Sequence, residues 1–395
     1  MNPEVRVLFP GAHEQVYLNI AAKGLVPTSV RDVVAAYMEE QVSGTSDKDL
    51  LRRQVDETRE SFATMIGADA DEVAITKNVS EGLNLFAASL EWRDGDNVVV
   101  CPELEHPNNI YLWYNLGRRY GVEVRSIPSV DGVMPTEAMA AAMDERTRVV
   151  TFPTVSFAPG FRTETSALAA AAREKGALTL ADGAQSIGAL ATDVHALGFD
   201  ALAVAAQKCL MSLYGFGFLY VRREVAATLV PNHVARYGIA LDAHETAYAE
   251  GPLDYQPGAR RFDLGNYNYL GMAATREALS LIRGLGVQRI EAHVGRLTAR
   301  LASGLLEIGL PVVGGPPGPH LAHIVSVGRV GGGRHYTADD PEINDLHGHL
   351  VAERIVFSLR SGVLRFSVGV YNDDDDIDRV LEAASAWRSK QAGAA

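Results

Sequence analysis

Asp182, Gln185 and Lys208 are the residues of this sequence whose types and spacing could do chemistry together. Asp182 and Gln185 stand in LTLADGAQSIG (178–188), and Lys208 stands 26 residues after Asp182. Asp182 and Lys208 each follow an apolar run that is typical of a strand, so both would lie at the rim of a sheet. Alone, each has an ordinary explanation, because an aspartate after a strand often caps a helix and a lysine there is usually solvated.

Together, these side chains suit an aldehyde cofactor with a pyridine ring. A lysine amine that is kept from water can act as a nucleophile toward an aldehyde and form a Schiff base. A facing carboxylate stabilises a protonated pyridine nitrogen, so that the ring draws electrons from the substrate Cα. The combination therefore predicts pyridoxal phosphate as the cofactor.

The elements around these residues predict an α/β fold. Short apolar and β-branched runs predict strands at 97–101, 122–127, 148–152, 177–181, 200–205 and 217–221. Helical patterns at 104–120 and 164–176 lie between them. This alternation predicts a mostly parallel central sheet sandwiched by helices, whose ligands gather at the carboxyl ends of the strands.

After residue 270 the pattern changes to that of a smaller α+β domain. Long amphipathic helices are predicted at 273–284 and 287–308, followed by strand-like runs near 321–329 and 363–371 around a helix near 340–354. We expect Asn372 to cap a final helix. The predicted division is an N-terminal segment (1–25) that packs on the small domain or stands apart, a large domain (26–284) and a small C-terminal domain (285–395).

Composition excludes several classes of protein. The chain has 395 residues, 47% hydrophobic and 22% charged, which is typical of a globular protein. Its 36 basic and 49 acidic residues, net charge −13, oppose nucleic-acid binding. Two cysteines, Cys101 and Cys209, make a disulfide framework or a metal site improbable. The sequence shows neither a secretory signal nor about 18 uninterrupted apolar residues, so we expect a cytoplasmic protein without a membrane span.

The sequence resembles the fold type I pyridoxal-phosphate enzymes, and among them the class V aminotransferase group. That group includes cysteine desulfurases, selenocysteine lyases and isopenicillin-N-epimerase-like proteins. The resemblance runs from VYLNIAAKG (16–24) to LRFSVGVYN (364–372) and rests most specifically on DGAQ with the following lysine. It implies the fold type I architecture with a smaller α+β C-terminal domain.

The resemblance also implies roles for residues around the cofactor. Lys208 would form the Schiff base, Asp182 would face the pyridine nitrogen, and Gln185 would hydrogen-bond the ring hydroxyl. A turn at a helix start would bind the phosphate; it consists of Val79, Ser80 and Glu81. Ser80 as a plain helix cap is the alternative, compatible with phosphate binding.

Three further positions match the family's site. His106 would stack on the cofactor ring and move protons near Cα, with a surface histidine at a helix start as the alternative. Arg365 would bind the substrate α-carboxylate, because a guanidinium is planar and bidentate. Asn266, in RRFDLGNYNYLG (260–271), would reach the cofactor phosphate of a second subunit, which implies a homodimer. Arg261 and Tyr267 in that loop are alternatively plain interface residues.

The sequence departs from the desulfurase pattern in ways that indicate a cysteine-free, epimerase-like branch. The stretch VFSLRSGVLRFS (356–367) lacks the nucleophilic cysteine that desulfurases carry there. Ala205, Ala206 and Gln207 stand where desulfurases have Ser, a spacer and His, with Gln207 as a substitute phosphate donor. Phe157 replaces a common asparagine, and the interval from Lys208 to the following glycines is one residue longer.

The reaction stays open at this level. Lys208 is the expected base at the substrate Cα, with His106 as a possible second, and the outcome would be transamination, elimination or epimerisation. We expect an aminotransferase or a C–S lyase without a protein persulfide, ahead of an amino-acid epimerase. A dinucleotide oxidoreductase is opposed because no G-x-G-x-x-G opens a helix after the first strand. A non-catalytic cofactor-binding protein is opposed because Lys208 and Arg365 are both present.

Overall fold

The structure, a computed structural model, describes residues 3–241 and 253–394. In chain order the strands are β1 (Val16–Tyr17), β2 (Val73–Thr76), β3 (Asn97–Val100), β4 (Glu123–Ser126), β5 (Thr147–Pro153), β6 (Leu178–Asp182), β7 (Ala201–Ala205), β8 (Gly217–Val221), β9 (Ile324–Gly328), β10 (Ile355–Val356), β11 (Ser358–Arg360) and β12 (Val363–Ser367).

The helices follow the same numbering. They are α1 (Pro3–Val7), α2 (Gly11–Glu14), α3 (Thr28–Ser43), α4 (Lys48–Met65), α5 (Val79–Ala88), α6 (Tyr111–Tyr120), α7 (Thr136–Ala141), α8 (Thr165–Glu174), α9 (Val194–Leu197), α10 (Arg223–Thr228), α11 (Tyr269–Leu285), α12 (Val287–Glu307), α13 (Pro341–Ala352) and α14 (Asp374–Ala394). Short 3₁₀ helices span Ala70–Glu72, Pro107–Asn109, Arg236–Gly238 and Gly258–Phe262.

A seven-stranded sheet carries the large part of the molecule, in the order β2-β8-β7-β6-β5-β3-β4. Its neighbours from β7 to β4 pair in parallel, and β8 alone runs against the others. Successive side chains of β7 alternate between two apolar clusters: Ala201 and Ala203 pack with residues of α5, and Leu202 and Val204 pack with residues of α4 and α11. Because both faces are covered by helices, the predicted mostly parallel sandwiched sheet is confirmed.

The C-terminal part forms a second, antiparallel sheet in the order β11-β12-β9, with α12, α13 and α14. The described part of the N-terminal segment contacts it: β1 pairs in parallel with β10, and Arg6 forms an ion pair with Asp376 at 2.7 Å. The division into three parts with boundaries near 25 and 284 stays a prediction.

Two helix starts differ from the prediction. Residues 104–110 do not form one helix with α6, because the chain leaves β3 through turns and a short 3₁₀ helix that has Pro107 at its first position. The last helix is capped by Asp373, whose Oδ1 accepts from the amide of Asp376 at 3.1 Å. The prediction that Asn372 caps it was wrong by one residue, because the Asn372 Oδ1 accepts from the amide of Gly369.

Neither a membrane-spanning helix nor a metal-binding cluster occurs in residues 3–241 and 253–394. No helix there is long and apolar enough to cross a membrane. No group of three or more histidine, cysteine, aspartate or glutamate side chains there is placed to hold a metal ion.

Candidate active site

The carboxyl ends of the parallel strands bring the predicted site residues to one edge of the sheet. Asp182 is the last residue of β6, and Lys208 follows β7 by three residues. His106 follows β3 after a short turn, and Phe157 follows β5. Neighbouring parallel strands end at the same edge, so residues far apart in sequence meet there.

Asp182 is held rigidly at this edge. Its Oδ1 accepts from the amide of Ala184 at 2.7 Å, and its Oδ2 accepts from Nδ2 of Asn109 at 2.6 Å. The side chain of Asn109 also donates to Oε2 of Glu105 at 3.1 Å. One amide therefore bridges two buried carboxyl groups.

Glu105 and Asn109 were missed by the sequence reasoning. Glu105 is 3% exposed, and burial together with the nearby charge of Asp182 raises its pKa to about 8. This carboxyl group is therefore mostly protonated and neutral at pH 7. No local pattern marks them in the sequence, because Asn109 meets Asp182 only once segments 73 positions apart have packed together.

Lys208 lies largely buried between a negatively charged side chain and positively charged ones. Burial lowers the pKa of its amine, the charge of Asp182 opposes that effect, and Arg365 adds to it. A lowered pKa favours the neutral amine, the nucleophilic form. The backbone of Lys208 leaves no room for a side chain at position 24, because a Cβ atom on Gly24 would come within 2.4 Å of the Lys208 carbonyl oxygen.

His106 caps the short 3₁₀ helix and also lines the site. Its Nδ1 accepts from the amide of Asn108 at 3.2 Å, and its ring packs edge-on against Phe157 with centroids 5.0 Å apart. Burial and the positive charge of Lys208 lower its pKa to about 4. The imidazole is therefore neutral at pH 7 and can accept a proton.

Arg365, in the middle of β12, is 0% exposed. Its Nε donates to Oγ of Ser358 at 3.1 Å, its Nη1 donates to the carbonyl oxygen of Phe157 at 2.6 Å, and its Nη2 has no partner in the described parts of the chain. Burial and the charge of Arg360 lower its pKa to about 9. Only neutral groups contact this buried guanidinium, so its positive charge is not compensated by an anion.

Two glutamines present further unpaired atoms. Gln185 is fixed by its Nε2, which donates to the carbonyl oxygen of Ala21 at 2.9 Å. The Oε1 atoms of Gln185 and Gln207 are buried without a hydrogen-bond partner among the described residues. Such atoms are uncommon in folded proteins and mark places where a ligand completes the hydrogen bonding. With the buried amine of Lys208 and the fixed carboxylate of Asp182, these polar groups fit pyridoxal phosphate.

The predicted phosphate turn stands at the start of α5. Asn78 caps this helix, because its Oδ1 accepts from the amide of Glu81 at 2.8 Å. The alternative that Ser80 is the cap was wrong, since Ser80 is the second residue of the helix. The amides of Val79 and Ser80 come first in α5 and have no partner inside the helix.

Asn266 is not brought to the Lys208 cluster within this chain. It is exposed, and its Oδ1 accepts from the hydroxyl of Tyr237 at 3.1 Å. Its loop is anchored to α4 by the buried ion pair of Arg59 with Asp263, whose N–O distance is 2.7 Å.

Both cysteines are buried away from solvent. Burial raises the pKa of Cys101 to about 12, with the nearby Glu103 as a second cause. Burial also raises the pKa of Cys209 to about 12. The Sγ of Cys209 lies 3.7 Å from Nε2 of His323, a buried histidine that the sequence reasoning did not consider.

Known proteins share both the sequence and the fold. The family profile described as Aminotransferase class-V matches residues 16–380. The chain belongs to the class V aminotransferase family. The enzyme is therefore dependent on pyridoxal phosphate, and the predicted cofactor and enzyme class are confirmed.

Relatives of this class V enzyme cover most or nearly all of its length. A probable cysteine desulfurase of Methanothermobacter thermautotrophicus is 33% identical over 79% of this chain and 78% of its own. An uncharacterized aminotransferase of Bacillus subtilis is 29% identical over 97% of each chain. The apo structure of a cysteine desulfurase from Thermococcus onnurineus superposes with a TM-score of 0.84 at 25% identity, covering 99% of this chain and 98% of the other.

Proposed function

We propose that the protein acts at the Cα of an α-amino acid, as an aminotransferase or a C–S lyase that uses no protein persulfide. When bound, pyridoxal phosphate supplies a ring that withdraws electrons from the substrate Cα and makes its bonds labile. The observation that carries the proposal is the buried Lys208 amine between Asp182 and the unsatisfied guanidinium of Arg365.

Four residues of this chain have separate roles toward the cofactor and the substrate. Lys208 Nζ would hold the cofactor at its aldehyde carbon, and the same amine would move the proton at the substrate Cα. Asp182, fixed by Asn109, holds the charge that faces the pyridine nitrogen. Gln185 binds the ring hydroxyl, and Arg365 Nη2 binds the substrate α-carboxylate.

The phosphate end would be completed by two chains. Val79 and Ser80 offer amides and a hydroxyl at the positive end of α5, and Gln207 offers its side chain. Glu81 belongs to the same turn, although its amide is already used by Asn78. Asn266, exposed in its own chain, would reach the site of a second copy in a homodimer.

Sulfur transfer through a protein thiol is disfavoured by the state of both cysteines. Their burial and raised pKa leave little thiolate at neutral pH, and the thiolate is the nucleophile. Several relatives are named as cysteine desulfurases, among them the probable cysteine desulfurase of Methanothermobacter thermautotrophicus, so cysteine is the first competing substrate.

A panel of amino acids tests the proposal. Each is incubated with the holoenzyme and analysed together for keto acid, ammonia, sulfide and the inverted isomer. Keto acid formed with an amino acceptor supports transamination, and direct loss of a side-chain group supports a lyase. An inverted isomer as the main product would instead favour an epimerase, with His106 as the second base, and no product from any amino acid would refute catalysis.

The Lys208→Ala variant tests the assignment of the lysine. We expect the visible absorbance of the bound cofactor to be lost or strongly shifted, while circular dichroism stays that of the folded protein. Lys23→Ala, at an exposed lysine, is the matched control and should keep the absorbance. An unchanged spectrum in Lys208→Ala would contradict the role of Lys208.

A further inference from the structure

Strands β11 and β12 place a second arginine beside Arg365. They pair antiparallel, with Ser358 opposite Arg365 and Arg360 opposite Val363. Ser358 and Arg360 are two residues apart and share a face, so Arg360 and Arg365 are diagonal neighbours on that face. The turn between the strands is Ser361–Gly362, with φ of 47° and 89°. Two left-handed residues form the tight hairpin turn that fixes this register.

Arg360, like Arg365, is held by neutral groups. Its Nη1 donates to the carbonyl oxygen of Leu359 at 2.7 Å, and its guanidinium lies 4.6 Å from the ring centroid of Tyr336. Its Nε is buried and has no hydrogen-bond partner among the residues that the structure describes. In residues 3–241 and 253–394, no carboxylate forms an ion pair with Arg360 or Arg365.

A continuous set of rings connects Arg360 to the active site. The rings of Tyr336 and His335 meet edge-on at 4.2 Å, and His335 stacks on Phe157 at 5.3 Å. Phe157 in turn contacts the guanidinium of Arg365 at 4.9 Å. Arg360 is also close enough to lower the pKa of both His106 and Lys208. Its positive charge therefore belongs to the wall of the site.

A buried arginine, Arg365, and a half-buried one beside it, Arg360, are costly in the free protein when neither has an anion. Each has lost water, and each repels the other in surroundings of low dielectric constant. An anionic ligand recovers both losses, because charge-assisted hydrogen bonds to guanidinium groups are strong and directional. A substrate with one carboxylate would satisfy one of the two arginines only.

We propose that the substrate is an α-amino acid whose side chain carries a second anionic group, a carboxylate or a sulfinate. Arg365 binds the α-carboxylate and Arg360 binds the side-chain anion. The inference rests on the proposed function and names its substrate class. Arg360 is then the residue that determines specificity, because it distinguishes an acidic side chain from a neutral one of the same shape.

Matched substrate pairs test this inference with the holoenzyme. The pairs are L-aspartate with L-asparagine, and L-cysteine sulfinate with L-cysteine. In the pair that the enzyme turns over faster, we expect kcat/KM to be about 10- to 100-fold higher for the acidic member. This is the range for one charge-assisted hydrogen bond. Arg360→Gln should abolish the preference, because the variant lacks the positive charge that distinguishes the acidic member from the neutral one. Arg329→Gln, at an exposed arginine on the adjacent strand end, should leave the preference intact.

A binding measurement separates this inference from the proposed function. Succinate and butyrate, which carry two carboxylates and one, are titrated calorimetrically into the holoenzyme, so no turnover is needed. Tighter binding of succinate that is lost in Arg360→Gln and partly kept in Arg360→Lys supports the inference. If succinate and butyrate bind equally, or if folded Arg360→Gln still prefers succinate, the inference is overturned. Either result leaves the proposed type of reaction unaffected. Absence of reaction with every amino acid refutes the proposed function, while the calorimetry still decides the anion site.

Discussion

Glu105→Gln is the substitution whose effect follows most directly from the geometry. Glu105 is buried beside Asp182, with Asn109 bridging the two side chains. Glutamine has the same shape and its carbonyl oxygen can still accept from Asn109, but it cannot ionise. The substitution therefore removes the ionisable carboxyl group but keeps the hydrogen bond from Asn109.

The magnitude follows from the raised pKa of Glu105. At about 1.4 kcal/mol per pKa unit, a rise from 4.5 to about 8 corresponds to about 5 kcal/mol. Below pH 4.5 the carboxyl group is neutral in both the folded and the unfolded chain and costs nothing. Between pH 4.5 and 8 the unfolded chain releases the proton and the folded chain keeps it, so stability falls as pH rises. The full cost is reached above pH 8.

Two assays measure this titration on cofactor-free protein, since a bound cofactor would add charge beside Asp182. The infrared C=O band of a protonated carboxylic acid should titrate with a midpoint near pH 8 and should be missing in Glu105→Gln. In urea unfolding, the stability of wild type relative to Glu105→Gln should fall by about 1.4 kcal/mol per pH unit between pH 5 and 7.5.

Glu145→Gln provides the control, because Glu145 is exposed on the same part of the chain. It should change neither the infrared band nor the slope of stability against pH. A band with a midpoint near the ordinary value for glutamate, or a band that survives in Glu105→Gln, would refute the reasoning. In that case Glu105 and Asp182 would both carry charge in the site.

Three further expectations address binding, chemistry and stability. Arg365→Ala should raise KM for α-carboxylate substrates by about 10- to 100-fold with little change in cofactor absorbance; an unchanged KM contradicts its role. Alanine at both Cys101 and Cys209 should leave kcat/KM within about twofold, because buried thiols of raised pKa supply little thiolate; loss of turnover in the folded variant would revive a thiol mechanism. Arg59→Met should cost about 3–5 kcal/mol in urea unfolding, since it strands a buried aspartate, whereas Arg276→Met, at a surface ion pair, should cost under about 1 kcal/mol.

Much of the fold was predictable because its signals are local. Apolar runs of five or six residues ending in Asp182 or shortly before Lys208 predict buried strands, and those strands are β6 and β7. Errors fell at the ends of elements, where one side chain decides. Asn78 and Asp373 cap α5 and α14, and neighbouring residues of similar chemistry gave the sequence no means of choosing between them.

The sequence by itself determined the family and the cofactor, and it predicts Lys208, Asp182 and Arg365 as the residues that carry the chemistry, because each stands in a short motif that can be read without its neighbours in space. Only the tertiary structure decided their surroundings. The bridge from Asn109 to Asp182 joins residues 73 positions apart, and Arg360 joins the site through a hairpin register and a line of aromatic rings. Burial and the distance between charges set pKa values and unsatisfied hydrogen bonds, and both quantities exist only once distant segments have packed together.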